Sequence, residues 1–148
     1  MCGIVGFVTS NYSIEEKKEQ ISQMMDRIIH RGPDSSGEFV DEHVALGFRR
    51  LSIIDLKSGD QPIFNEDRTK AIIFNGEIYN FQELRKELEA KGHIFTTKAD
   101  TEVILHGYEE FGTDIVKKLR GMFAFAIWDR EKQELFGARD HFGIKPYY

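Results

Sequence analysis

The chain has a single cysteine, Cys2, so it cannot close an internal disulfide. That fits a reducing cytoplasm and excludes the disulfide-stapled secreted scaffolds. Long apolar runs are also missing; none approaches the roughly 18 residues that a membrane span needs. Met1 leads directly into strand-like sequence, with no basic start or cleavage region of a secretory signal. Positive charge is in deficit, with 20 basic against 25 acidic side chains and a formal net charge of −5. No basic face stands out, so neither nucleic acid nor a membrane is an expected partner. The five histidines (His30, His43, His93, His106 and His141) are scattered, and none forms a pair at metal-ligand spacing. No metal is expected. What is present is a 148-residue chain that is 41% hydrophobic and 30% charged, with twelve phenylalanines. This is one domain's worth of ordinary globular sequence with bulk for a single core.

Periodicity divides the chain into elements. Residues 3–9, GIVGFVT, read as a buried strand, because β-branched and aromatic residues dominate and glycine interrupts any helix. Ser13 and Glu16 form a capping-box pattern, and Ile14, Ile21, Met24, Met25 and Ile28 share one helical face, with Gly32-Pro33 as the stop. EFV and HVALGFRRLSII read as strands separated by Asp41 and Glu42. An apolar strand then reaches Asn75-Gly76, followed by a helix starting at Asn80, burying Phe81, Leu84 and Leu88, and ending at Gly92. IFTT reads as a short strand. A third helix is capped by Asp100 or Thr101 and closed by Gly112, and a fourth covers about 114–119. GMFAFAIWDREKQELFGARD reads as two strands joined by a polar hairpin at 129–132. Helices do not alternate one-for-one with strands, so an α+β fold with mostly antiparallel sheets is expected rather than a doubly wound one. The apolar ending GIKPYY suggests a segment cut from a longer chain.

The position of Cys2 suggests chemistry. Thiols attack carbonyl carbon as thiolates, and a free cysteine has a pKa of about 8.5. Once Met1 is removed, Cys2 carries its own base, an α-amine with a pKa of about 7.7–8. An N-terminal amine can activate a nucleophile on the same residue. The competing interpretation is a small buried hydrophobe, the common fate of a free cysteine.

Further motifs accompany that thiol: MCGIVGF, HRGPDSSGEF from His30, FRRLSIIDLKSGDQP from Phe48, FNGEIYNFQELR from Phe74, KADTEVILHGYEEFG from Lys98, and GMFAFAIWD followed by ARDHFGIKP. In this order, from Met1 to Tyr148, they closely resemble the glutaminase domains of glutamine-dependent asparagine synthetases, which are class II glutamine amidotransferases. The resemblance implies an N-terminal-nucleophile fold, a four-layer αββα sandwich of two mostly antiparallel sheets. It also implies hydrolysis of glutamine to glutamate, with ammonia passed to a second, ATP-dependent synthetase domain of the same longer chain.

Glutamine presents an amide, an α-carboxylate and an α-ammonium, and each needs a partner. A guanidinium grips a carboxylate through two parallel hydrogen bonds. Arg49 and Arg50 must point to opposite faces of a strand, so at most one enters a pocket, and the family motif selects Arg50. Asp100 and Glu77 are the candidates for the ammonium; Asp100 also suits a helix N-cap, and the resemblance assigns it to the substrate amine. Glu77 could act through its carboxylate or the adjoining backbone. For the oxyanion the candidates are the Asn75 side-chain amide and the Gly76 N–H, although Asn-Gly is also the commonest two-residue hairpin turn. Arg31 and Asp34 suit a loop salt bridge that supports the nucleophile strand.

Two other readings compete. One is a class II amidotransferase serving a different acceptor; the other is a non-catalytic relative that scaffolds a partner domain. No glycine-rich phosphate loop occurs, so no cofactor is expected in this domain, and ATP and magnesium are expected only in the synthetase domain.

Overall fold

A computed structural model describes residues 2–52 and 60–148. Strand β1 (Gly3–Val8) precedes helix α1 (Ile14–Arg27), then β2 (Ser35–Val40), β3 (Val44–Arg50) and the two-residue β4 (Ile63–Phe64). Next come β5 (Lys70–Ile78), α2 (Phe81–Ala90), α3 (Thr101–Phe111), α4 (Ile115–Lys118), β6 (Gly121–Asp129) and β7 (Glu134–Arg139). Two sheets form, in the orders β1-β3-β2 and β4-β5-β6-β7, and every pairing is antiparallel.

Period-2 patterning sets the layers. Val44, Leu46 and Phe48 of β3 meet Ala71 and Ile73 of β5 and Ala126 and Trp128 of β6, forming the core between the sheets. The alternate residues of β5 and β6, Ile72, Phe74, Ile78, Phe123, Phe125 and Ile127, pack outward against α2 and α3. Both strands are therefore buried on two faces, and for that reason their sequences run almost continuously apolar. Helix α1 covers the far face of the first sheet through Ile21 and Met25. It sits so close that a Cβ on Gly47 of β3 would lie 2.8 Å from Met25 Cγ. The result is the αββα sandwich, and Trp128 Nε1 ties its two sheets together by donating to Asp41 Oδ2 at 2.8 Å.

Local signals agree with several elements in detail. The capping box of α1 is complete: Glu16 N–H donates to Ser13 Oγ at 3.2 Å and Ser13 N–H to Glu16 Oε2 at 2.7 Å. Other expectations are corrected. α1 ends at Arg27 rather than at Gly32-Pro33, because residues 29–31 tighten into a 3-10 turn. IFTT forms no strand. Its Thr96 and Thr97 N–H groups donate to the two oxygens of Glu102 at 2.7 and 2.8 Å, so a carboxylate supplies the acceptors that a neighbouring strand would have supplied. Asn80 occupies the N-cap position of α2 without capping it; its amide instead bridges Lys118 O and Arg120 N, each at 2.9 Å. Strand β3 stops at Arg50, and residues 53–59, which end the expected strand and fill much of the FRRLSIIDLKSGDQP motif, lie outside the described residues. The short β4 has too few residues to show a period and was not expected.

Candidate active site

Cys2 stands just before β1, an edge strand, and is half-buried with its Sγ 4.0 Å from Leu51 O. It lines a cavity of about 480 Å³, together with Ile4, Arg31, Asn75, Ala126 and Tyr147 among others. Cys2 comes from the first sheet and Asn75 from the second, so the sandwich itself brings them together.

Asn75-Gly76 is not a turn. Both residues lie inside β5, paired with Ala124 and Phe123 of β6. Asn75 shares the inter-sheet face with Ile73 and is 7% exposed. Among the described residues nothing hydrogen-bonds to its side-chain amide, which borders the cavity and is left available to whatever occupies it. Backbone groups of an antiparallel strand alternate between its two edges. The N–H groups of Phe74 and Ile78 leave β5 on the side away from β6, to Gln61 Oε1 at 2.5 Å and Asp100 Oδ2 at 2.7 Å. Gly76 lies between them and its N–H faces that same open edge. Its missing side chain is a packing requirement too: a Cβ there would collide with the Met122 carbonyl of β6.

Strand alternation sorts the two arginines as expected. Arg49 turns outward and donates from Nε to Gly32 O at 3.0 Å. Arg50 takes the inter-sheet face with Phe48, is 9% exposed, and holds Asp60 Oδ1 at 3.0 Å through Nη1. Asp60 was not anticipated, and neither was Gln61, whose side chain stands in for a strand on the open edge of β5. Polar residues beside a proline carry no sequence signal for either task. Tyr147 in the cavity wall was missed for a related reason. Its place depends on Asp140, whose carboxylate accepts from the N–H groups of Phe142, Ile144 and Lys145 and so folds the chain's last turn.

Arg31 and Asp34 form no ion pair, contrary to the expected loop bridge. Asp34 instead braces the segment after β3, donating its N–H to Arg50 O at 3.0 Å and accepting Ser52 N–H at 2.6 Å on Oδ2. Arg31 packs its aliphatic stem against Gly3 and lines the cavity. An aspartate beside exposed backbone donors gains a charge-assisted bond without stretching across a loop to a guanidinium.

Asp100 occupies the N-cap position of α3 but makes no side-chain cap; it reaches Ile78 N–H instead. Burial pushes its carboxyl above the ordinary carboxylate range, the Ile78 N–H opposes that shift, and the negative charge of Glu77 adds to it. A carboxylate held in this way favours the arrival of a cation. Glu77 follows Gly76 and shares the strand face of Asn75.

No helix among the described residues is long and apolar enough to cross a membrane. The whole chain, residues 1–148, matches the family of glutamine amidotransferase domains. It is 56% identical over 150 residues to a glutamine-hydrolyzing asparagine synthetase of Bacillus subtilis, covering 100% of this chain and 24% of that protein. Against one from Arabidopsis thaliana the identity is 45% over 148 residues, covering 100% of this chain and 25% of the other. The chain thus spans about a quarter of the length of these curated relatives. Among solved structures it is similar to a glutamine phosphoribosylpyrophosphate amidotransferase from B. subtilis, with a TM-score of 0.55 and 27% identity over 68% of this chain and 24% of that one. A structure described as the allosteric regulatory enzyme of purine biosynthesis gives a TM-score of 0.58 and 28% identity over 72% of this chain and 25% of its own. The αββα layering shared with these two is that of the N-terminal nucleophile hydrolases. The Cys2 thiol and the Asn75 amide meet in one cavity between two sheets, and the chain is matched from end to end: this chain belongs to the glutamine amidotransferase domain family.

Proposed function

We propose that this domain hydrolyses L-glutamine to glutamate and ammonia through a thioester on Cys2, and that the ammonia serves asparagine synthesis from aspartate in a further domain of a longer cytoplasmic chain. The observation that carries this reading is the Asn75 amide, free of protein hydrogen bonds among the described residues and bordering the cavity that Cys2 lines.

In the proposed reaction, methionine removal frees the Cys2 amine, which takes the thiol proton. The sulfur attacks the amide carbon, and negative charge gathers on the amide oxygen. Asn75 Nδ2–H and Gly76 N–H are the donors for that oxyanion, a contribution of about 2.7–4 kcal/mol each. The ammonium formed on Cys2 returns its proton to the departing nitrogen, so ammonia leaves as the C–N bond breaks. Water, deprotonated by the same amine, then adds to the γ-glutamyl thioester; the C–S bond breaks, glutamate departs and the thiol is restored. Arg50 is the proposed partner of the substrate α-carboxylate and Asp100 of its ammonium, with Glu77 adding negative charge. Arg31 and Asp34 act indirectly, through the nucleophile strand and the segment after Arg50. The hydrolysis needs no cofactor; ATP and magnesium belong to the synthetase reaction.

The test is mass spectrometry after incubation with a glutamine-mimicking diazoketone. The expected result is an adduct on Cys2 that excess glutamine blocks. An unmodified thiol in the native protein would overturn the proposal and leave the scaffold reading. Protein that retains Met1 carries an amide nitrogen on Cys2 instead of an amine, and it is expected to be inactive.

A further inference from the structure

Histidines that are far apart in sequence meet outside the Cys2 cavity. His93 follows α2 and His106 lies in the middle of α3, yet their ring centroids are 5.3 Å apart. Glu66, from the β4–β5 connection, and Glu109, one helical turn beyond His106, complete the group. His106 Nδ1 lies 2.7 Å from Glu109 Oε2 and 3.9 Å from Glu66 Oε2, and His93 Nδ1 lies 3.8 Å from Glu109 Oε2. One donor atom each from Glu66, His93 and His106 falls within 4.8 Å of the others. Ligands of a tetrahedral ion bound at 2.0–2.1 Å sit about 3.3 Å apart, so a modest contraction brings these atoms to ligand positions.

The surroundings are arranged to orient each of the four. Glu109 is held through Oε1 by Asn65 Nδ2 at 2.7 Å, which leaves Oε2 in the cluster. Glu66 is held through Oε1 by Ile94 N–H at 3.0 Å, which leaves its Oε2 there as well. Behind each imidazole stands another carboxylate: Glu110 Oε2 is 3.2 Å from His93 Nε2, and Glu102 Oε1 is 3.5 Å from His106 Nε2. At His93 the carboxylate hydrogen-bonds the far nitrogen, which is how proteins fix the tautomer of a metal-ligating histidine; at His106 the carboxylate lies close enough to do so after a small adjustment. His106 is 1% exposed, and its Nε2 has no hydrogen-bond partner among the described residues.

We propose that His93, His106, Glu66 and Glu109 bind one divalent transition-metal ion of the zinc type, pinning the β4–β5 connection and the segment after α2 to α3. Two imidazoles and two carboxylates suit that ion. Four carboxylates crowd the two rings; Lys91 occupies one oxygen of Glu110 at 2.9 Å, so an added cation meets favourable charge.

The test is calorimetric titration of the protein with Zn2+, on a Cys2→Ala background that removes the competing thiolate. One Zn2+ per chain is expected. Glu66→Gln, at a side chain 38% exposed, and His93→Gln should each weaken binding at least tenfold and abolish the metal-dependent rise in Tm. Circular dichroism of the metal-free variants checks that they fold, and Glu66→Gln keeps the test valid should His93→Gln fail to do so. No Zn2+ binding by the Cys2→Ala protein, or undiminished binding by a folded Glu66→Gln variant, would overturn the site. Neither outcome bears on glutamine hydrolysis.

Discussion

The two faces of β5 differ sharply. Outward, Ile72, Phe74 and Ile78 are 0%, 3% and 0% exposed and pack with Phe125 against α2 and α3. On the inter-sheet face Ile73 is followed by Asn75 and then Glu77, so an apolar row turns polar within four residues. One face maximises buried apolar area. The other, at the end where the sandwich opens toward Cys2, turns the Asn75 amide to the cavity with no protein hydrogen bond among the described residues, so its donor and acceptor stay available there. Residues neighbouring in sequence can therefore be assigned to stability or to chemistry by which way the pleat turns them.

Substitutions on the two faces should separate those roles. The largest expected effect is on the chemical side: Cys2→Ala should lower glutamine hydrolysis at least about a thousandfold, because the proposed nucleophile is gone. Its urea midpoint should barely move, and hydrolysis at the parental rate would sink the division. On the outer side, Phe125→Ala should cost about 3–5 kcal/mol in denaturant unfolding through the cavity it leaves between β6 and the helices. A loss under about 1 kcal/mol would show that this face is not the main store of stability.

Asn75→Ala is expected to lower kcat by about 10²–10³ while stability changes little, since the side-chain amide gives up no protein hydrogen bond. Equal losses of activity and stability would make Asn75 a structural residue. The smallest effect concerns pH. The proposed contact with glutamine's ammonium needs Asp100 ionised, and burial holds the Asp100 carboxyl above the ordinary range. KM should therefore rise as pH falls through that raised pKa and level off above it. Asp100→Asn should show a high KM with no such dependence; a normal pH profile in this variant would assign the titration elsewhere.

Much of this was legible in the residues. The alternation of Phe123, Phe125 and Ile127 with small residues marked β6 as a strand between packed layers, and the strand period set Arg49 and Arg50 on opposite faces. The capping box of α1 needed only a serine and a glutamate three positions apart, because both of its bonds are local. Cys2 was conspicuous from its position, and the motif set pointed to glutamine as substrate.

Several departures share one cause: a partner outside the expected element outweighed the local signal. IFTT has strand composition, but Glu102 took its N–H groups; Asn80 and Asp100 sit where caps belong, but α4's end and β5 offered them other donors and acceptors. Asn75-Gly76 has the letters of a turn, and β6 held it straight. Sequence alone determined which segments are apolar on which side, since that depends on covalent spacing along the chain. Only tertiary structure decided which polar groups meet, bringing Asn75 to the cavity of Cys2 and His93 to His106. A hydrogen bond or ion pair depends on distances of a few ångströms between elements whose separation along the chain carries no such information.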